Sequence, residues 1–271
     1  MYKRQLEDGA PGELWNLENQ DAVRAAHAAY AEAGARILTT NTFGGTRPRL
    51  DMHGLGDRLA EVNRNAALIA RSVADEHGIL VAGDLGPTGE LLEPLGTMTA
   101  AEAQALFAEQ VTALVDGGVD LLLVETLSDL GEADAALAAA REVAPGLPVV
   151  VTMSFDTNLR TMMGVRPGDA VTHLAAAGAD AVGANCGRGP EEMELIAAEL
   201  VQARTGDLLL VAQSNAGLPQ VVGDHFEYDA TPADMAAHGA RLAGLGIDLV
   251  GACCGSTPAH IAAMGESVAP E

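Results

Sequence analysis

The sequence predicts an α/β fold of the (β/α)8 TIM-barrel class, and three patterns lead to this prediction. Short apolar, β-branched runs alternate with alanine-rich stretches of helical spacing along the 271 residues, which is typical of parallel strands joined by crossover helices. Several helices end in glycine just before the next strand, as in A-G-A-R and A-G-A-D, where glycine commonly closes a helix. Polar or glycine-rich residues follow nearly every strand, which favours a barrel over an open sheet with a single switch point.

Seven strands and eight helices are expected. The predicted strands lie at 35–39, 79–82, 119–125, 148–154, 179–184, 208–212 and 247–251. The predicted helices lie at 21–33, 57–77, 100–116, 130–143, 168–176, 190–203, 232–244 and 258–267. The barrel's first strand is absent from the pattern, because no buried apolar run precedes Asp21.

The start of the chain differs from the rest in composition. Lys3 is the only lysine, whereas every other basic residue is arginine. We therefore expect residues 1–12 to be a gene-boundary artefact or a linker remnant. Residues 13–271 are expected to form one barrel domain.

Composition narrows the possible partners. The formal net charge of −23 argues against nucleic acid or an anionic membrane as a partner. The longest apolar runs, such as 119–124, are far too short to span a bilayer, and no signal-peptide core is visible. The cytoplasm is the expected location.

The three cysteines occur in only two places. Cys186 lies in G-A-N-C-G, and Cys253 and Cys254 lie in G-A-C-C-G, each after a predicted strand. Three thiolates from two strand ends would suit zinc and leave a fourth position open to an incoming thiol. A single buried cysteine is more often core filling, but an adjacent pair before glycine is harder to explain in that way. The odd number of cysteines argues against a disulfide framework.

Other polar residues also follow predicted strands. Glu125 ends an apolar run, where it would either bind a substrate ammonium or form a structural ion pair, since a buried carboxylate needs a partner. Asn185 and Asn215 are candidate substrate residues, although asparagine often satisfies loop backbone groups, and Asn185 could instead support the neighbouring cysteine. Four histidines in helical segments are expected at the surface or at helix caps: His27, His173, His238 and His260.

Six motifs together resemble the homocysteine S-methyltransferase family. They are H-x-x-Y-x-x-A-G-A-x-I-x-x-T-N-T-F-G, G-D-L-G-P-T-G, V-E-T, G-A-N-C-G, N-A-G-L-P and G-A-C-C-G-S-T-P-x-H-I, and the match runs from Glu13 to Met264. The resemblance implies a (β/α)8 barrel with Zn²⁺ on Cys186, Cys253 and Cys254. It also implies that homocysteine's sulfur takes the open position, near Glu125.

The leading interpretation is therefore zinc-dependent methyl transfer to the thiol of homocysteine, giving methionine. Glycine betaine or a sulfonium is the expected donor, with Trp15, Phe43 and Tyr228 as aromatic residues that could face such a cation. A corrinoid protein acting in trans is the other possible donor, and a second copy of the chain is a further possible partner. The rival interpretation is a non-catalytic zinc-binding barrel or an inactive, N-terminally truncated fragment.

The N-terminus departs from the family pattern, in which a first strand precedes D-G-x-x-G-T. Asp8-Gly9-Ala10 resembles that motif only superficially, because P-G-E follows it. We therefore expect the chain to lack the first strand and its substrate loop. We expect the chain to be weakly active or inactive despite a complete metal site.

Overall fold

The computed structural model describes residues 9–223 and 225–268. In this part of the chain, seven strands form one sheet in the order β1-β2-β3-β4-β5-β6-β9, and β7 and β8 form a separate two-stranded antiparallel ribbon. The strands are β1 (Ile37–Thr39), β2 (Leu80–Leu85), β3 (Leu121–Leu127), β4 (Val149–Met153), β5 (Ala181–Cys186), β6 (Leu209–Ser214), β7 (Gln220–Val222), β8 (His225–Glu227) and β9 (Leu249–Ala252).

Helices alternate with the sheet strands. They are α1 (Trp15–Glu18), α2 (Gln20–Glu32), α3 (Arg47–Asp51), α4 (Leu59–His77), α5 (Ala100–Asp116), α6 (Leu130–Val143), α7 (Pro167–Ala176), α8 (Pro190–Ala203), α9 (Pro232–Leu245) and α10 (Pro258–Val268). The sequence determines several of their ends. Thr99 and Thr231 form capping boxes at the starts of α5 and α9, where the threonine oxygen accepts a hydrogen bond from an otherwise unpaired N–H. None of the described helices is both long and apolar enough to cross a membrane.

The chain divides into two compact units. Among the described residues, the first unit comprises 9–31, 36–125 and 131–149. Its strands pair in parallel, with Ile37 opposite Leu80 in β1 and β2, and Ala82 opposite Leu121 in β2 and β3. Fully buried apolar side chains from strands and helices make its core, including Val62, Val81, Phe107, Leu114 and Leu122.

The second unit comprises 32–35, 126–130, 150–223 and 225–268. Its strands are also parallel. Residues 150–153 of β4 pair with residues 181–184 of β5, β5 pairs with β6, and β6 pairs with β9. The register aligns the carboxyl ends of β5, β6 and β9, and this alignment positions the candidate site.

The structure confirms the predicted α/β class and its regular alternation. Each predicted sheet strand is present, and most boundaries agree within two residues. Residues 9–36 contain helices and turns but no strand, as expected from the sequence. The short helices α1 and α3 and the β7–β8 ribbon were not predicted. The expectation for residues 1–12 falls largely on residues 1–8, which lie outside the described residues.

Candidate metal centre and substrate site

The three cysteines lie together in the second unit, at the carboxyl ends of two strands. Cys186 is the last residue of β5, and Cys253 and Cys254 directly follow β9. The Cys253 sulfur lies 3.0 Å from that of Cys186 and 4.0 Å from that of Cys254. All three sulfurs lie within 4.8 Å of one another. The structure therefore brings together the three residues that the sequence proposed as metal ligands.

The end of β6 holds the two cysteine segments at this spacing. Ser214 pairs with Cys186 on one side and with Ala252 on the other, and its carbonyl accepts a hydrogen bond from the Cys253 N–H at 2.8 Å. Because β9 ends at Ala252, Cys253 and Cys254 leave the alternation that points neighbouring strand residues to opposite faces. Both adjacent sulfurs can then reach the same place.

The donor set fits zinc. Zinc is commonly held by thiolates at about 2.3 Å in a tetrahedron, which places neighbouring sulfurs about 3.8 Å apart. The 4.0 Å separation of Cys253 and Cys254 matches this value, and the 3.0 Å separation of Cys186 and Cys253 would have to widen. Cys254 is exposed, so one side of the cluster is open to a further ligand.

The electrostatics of the cluster also favour a cation. Hydrogen bonding of the Cys253 thiol with Cys186 and Cys254, together with burial, raises its pKa far above its usual range. Deprotonation would place negative charge on three crowded sulfurs, which is unfavourable unless a positive ion compensates it. A soft divalent metal is the partner that this arrangement suits best.

Asn215 links the two cysteine loops. Its side-chain oxygen accepts a hydrogen bond from the Cys254 N–H at 3.0 Å, and its amide donates to the Gly187 carbonyl at 2.7 Å. These contacts support the loops on either side of the sulfurs. A primary amide carries a second N–H, which could donate to a substrate. The assignment of Asn215 to the substrate therefore stays a prediction.

Asn185 lies between the sulfurs and the end of β3. Its side chain is almost fully buried, and its oxygen accepts from the Thr126 N–H at 2.8 Å and from the Thr152 hydroxyl at 2.9 Å. Thr126 and Cys186 both adopt left-handed backbone conformations, with φ of 63° and 61°. Such conformations are unfavourable for non-glycine residues and cluster at functional sites.

The three aromatic candidates have different surroundings. Tyr228 lies beside the candidate metal ligands: its ring packs against the Cα atom of Gly255, and burial followed by interaction with Cys254 raises its pKa. Phe43 packs against Gly86 in the first unit. Trp15 is buried in a cluster with Val23 and Ile69. The expectation that Trp15 faces a cation is therefore wrong, because its ring fills the core.

Two carboxylates in the first unit, Asp84 and Glu13, were not identified as candidates from the sequence. Asp84, at the end of β2, is almost fully buried, and its Oδ1 atom has no hydrogen-bond partner among the described residues. Burial first, and then repulsion by Glu125 and Glu13, raise the pKa of the Asp84 carboxyl well above its usual value. Glu13 is also buried and accepts a hydrogen bond from the Gly44 N–H at 2.6 Å. The sequence feature that could have identified Asp84 is an acidic residue within an apolar strand. The same feature identified Glu125 as a candidate.

His238 supports the cysteine site through its contact with Ser214. The sequence placed it at the surface or at a cap, which is wrong, because it is fully buried. Its Nε2 lies 2.9 Å from the Ser214 hydroxyl and its Nδ1 lies 2.8 Å from a Glu194 carboxylate oxygen. Burial lowers the pKa of His238, so the neutral ring donates to Glu194 and accepts from Ser214. The capping expectation holds for His260, whose Nδ1 accepts from the Thr257 N–H at 3.0 Å at the start of α10.

Comparison with known proteins decides the family. The profile described as homocysteine S-methyltransferase matches residues 2–268. The chain belongs to the homocysteine S-methyltransferase family. The G-A-N-C-G motif of this homocysteine S-methyltransferase chain ends β5, G-A-C-C-G follows β9, and V-E-T lies in β3, so the resemblance seen in the sequence is confirmed.

Similar proteins include two methionine synthases. That of Mycobacterium tuberculosis is 34% identical over 267 residues, which cover 95% of this chain and 22% of that protein. That of Mycobacterium leprae is 33% identical over 267 residues, with the same coverage of 95% and 22%. The homocysteine S-methyltransferase chain therefore spans about a fifth of the length of these relatives.

Solved structures of the homocysteine methyltransferase MmuM from Escherichia coli are also similar. The oxidized form is 25% identical with a TM-score of 0.78, covering 97% of this chain and 91% of that one. The metallated form is 24% identical with a TM-score of 0.80 and the same coverage of 97% and 91%. These matches confirm the barrel-type α/β fold of this homocysteine S-methyltransferase family member.

Proposed function

We propose that this chain transfers a methyl group to the thiol of homocysteine, giving methionine, with zinc held by Cys186, Cys253 and Cys254. The observation that carries the proposal is the cluster of three sulfurs within 4.8 Å of one another, open on the side of the exposed Cys254. Membership of the homocysteine S-methyltransferase family supports the substrate. Three metal-binding thiols also suit a reducing compartment such as the cytoplasm.

The chain's own residues prepare the thiol for attack. Bound zinc would supply a Lewis acid that favours the thiolate form of a thiol at its fourth position. Ser214 and Asn215 hold the cysteine loops, which fixes where the incoming sulfur lies. That sulfur forms a bond to the methyl carbon while the bond from this carbon to the donor breaks. The thiol proton leaves to solvent, and a cationic donor departs as a neutral molecule.

Carboxylates in the first unit are the proposed site for the ammonium group of homocysteine. Glu125 lies in β3 close to its carboxyl end, and both Glu125 and Glu13 are near enough to Asp84 to raise its pKa. The next residue, Thr126, is hydrogen-bonded to Asn185, whose amide lies near the cysteine sulfurs. We therefore assign Glu125 to the ammonium rather than to the metal.

A small cationic donor, glycine betaine or a sulfonium, is the proposed source of the methyl group. Tyr228 supports this choice, because its aromatic ring lies beside Gly255 and the exposed Cys254, and aromatic faces attract cations. A methylated corrinoid protein acting in trans is the second possible donor.

A donor screen tests the proposed function. The zinc-loaded chain is mixed with homocysteine and, in separate reactions, glycine betaine, S-methylmethionine or a methylated corrinoid protein, and methionine is measured. We expect methionine with a cationic donor and none with the triple cysteine-to-serine variant. Methionine formed only from the corrinoid protein would transfer the donor assignment to it, and no methionine from any donor at full zinc occupancy would refute the function.

Replacing Glu125 with glutamine should weaken homocysteine binding by about 1–3 kcal/mol, the scale of a charged hydrogen bond, while zinc content stays normal. Calorimetric titration of homocysteine into zinc-loaded protein measures the affinity for homocysteine, and elemental analysis measures the zinc content. Glu109→Gln is the matched control, because Glu109 is half-exposed and paired with Arg47. This variant should change neither the affinity for homocysteine nor the zinc content. A loss of zinc with unchanged binding by the remaining holoprotein would contradict the assignment.

A further inference from the structure

The orientation of the Asn185 carboxamide is determined by its neighbours. The Thr126 backbone N–H can only donate, and it lies 2.8 Å from the Asn185 side-chain oxygen. Rotating the amide by half a turn would place its NH2 group against this N–H and leave both without an acceptor. The nitrogen of Asn185 must therefore face the other side, where it donates to the Thr126 hydroxyl at 2.7 Å.

The second hydrogen of this NH2 group is available to the cysteines. The amide nitrogen lies 3.8 Å from the Cys186 sulfur and 4.0 Å from the Cys253 sulfur. These are long distances for neutral thiols, but a thiolate is a stronger acceptor, because charge-assisted hydrogen bonds are shorter and stronger. The side chain is only 1% exposed, so water does not compete for this donor.

The same side chain holds a strained residue. Thr126 is β-branched and has a φ of 63°, a conformation that costs free energy unless its surroundings enforce it. Two hydrogen bonds with Asn185 hold it in place: the Thr126 N–H donates to the Asn185 side-chain oxygen, and the Thr126 hydroxyl accepts from the Asn185 NH2 group. Thr126 directly follows Glu125 in the chain. One carboxamide thus connects the segment that follows the proposed ammonium ligand to two of the proposed metal ligands.

We propose that Asn185 is a positioning residue that donates an N–H···S hydrogen bond to the thiolates of Cys186 and Cys253 and so tunes the metal they hold. This inference rests on the proposed function. A hydrogen bond to a ligating sulfur withdraws electron density from it, as outer-shell partners of metal ligands do. A metal bound by these sulfurs would then remain a stronger acceptor for the sulfur of homocysteine.

Cobalt(II) reports on this hydrogen bond independently of methyl transfer. The zinc is replaced with cobalt, and the thiolate-to-cobalt charge-transfer band is recorded in the near ultraviolet. Asn185→Asp keeps the acceptor oxygen but removes the donor, and Asn185→Ala removes the whole amide. Both variants should bind cobalt and shift the band to longer wavelength, because sulfurs without the hydrogen bond are more easily oxidised.

Thr152→Val is the matched control. It removes the hydroxyl that donates to Asn185 at 2.9 Å, so it disturbs the same buried network without touching the N–H groups. A merely structural role for Asn185 would lower the melting temperature in all three variants and leave the band unshifted. A band that shifts in both Asn185 variants but not in Thr152→Val supports the positioning role.

A second measurement needs no substitution. In the parent protein loaded with ¹¹³Cd, one side-chain amide proton should show scalar coupling to the metal through the N–H···S bond. If the cysteine β protons couple to cadmium and no side-chain amide proton does, the inference is overturned even where the variants fail to fold. A parent protein that shows no thiolate–cobalt band would overturn the proposed metal site and this inference together, whereas a normal parent band that stays unshifted in both Asn185 variants overturns the inference alone.

Discussion

Replacing any one of Cys186, Cys253 and Cys254 with serine should reduce methyl transfer below detection and strip zinc from the protein. A hydroxyl is a poor zinc ligand compared with a thiolate, and two remaining sulfurs hold the ion weakly. Loss of an outer-shell partner typically costs about 10–100-fold in metal affinity, and loss of a ligand itself should exceed this. The triple serine variant should contain no zinc above background.

Elemental analysis after dialysis, together with the homocysteine assay, measures both effects. Every cysteine of the chain belongs to the cluster, so no cysteine elsewhere can serve as the control. Ser256→Ala, two residues beyond Cys254, changes the same loop without removing a sulfur and should retain zinc. Full zinc occupancy in the triple variant would refute the assignment of these cysteines as zinc ligands.

The fold could be predicted because its signal is local and repeated. The run that contains Leu121–Leu127 is apolar enough to be recognised as a buried strand, and glycine ends helices such as α4, where Gly78 has a φ of 65°. Short elements carry no such pattern. The helix α3 has five residues with Pro48 in its first turn, and β7 exposes Val221 and Val222, so neither shows the periodicity that identifies an element.

The clustering of the three cysteines could be predicted because cysteine is rare here and its two motifs follow strands. The supporting residues could not, because their roles depend on tertiary contacts between distant segments. Asn185 meets Thr126 across 59 positions, and His238 meets Glu194 across 44. Trp15 was assigned a functional role that the structure does not support. Its packing against Ile69 is a contact between distant segments and cannot be inferred from an isolated aromatic residue.

Asp84 is the most informative residue that sequence reasoning passed over. It is almost fully buried, and burial and the nearby Glu125 and Glu13 raise its pKa. A buried carboxylate with an unpartnered oxygen lowers stability and is typical of a functional site. The free energy that it costs to bury the ionised Asp84 carboxyl should therefore be measurable as a pH-dependent term in the free energy of unfolding.

Replacing Asp84 with asparagine should stabilise the protein above about pH 4, by an amount that grows with pH. A carboxyl whose pKa is higher in the folded state than its unfolded value of about 3.9 binds more protons when folded. The contribution of Asp84 to the stability of the parent therefore falls as pH rises from that value through the folded pKa, and then levels off. Each pH unit in this window is worth about 1.4 kcal/mol, and the isosteric amide, which carries no charge, removes the dependence.

Urea unfolding of metal-free parent and Asp84→Asn protein between pH 5 and 8 measures this difference. Asp234→Asn provides a control of opposite sign, because the hydrogen bonds from Thr231 lower the pKa of Asp234. Its stabilising contribution is present above the unfolded pKa and is lost as pH falls. If the Asp84→Asn protein were the less stable one at pH 8, or if its difference from the parent did not change with pH, Asp84 would be ionised in the folded protein and held by a partner. The carboxylates of the first unit would then already be balanced without the ammonium of homocysteine, and the proposed role of Glu125 would lose its electrostatic basis.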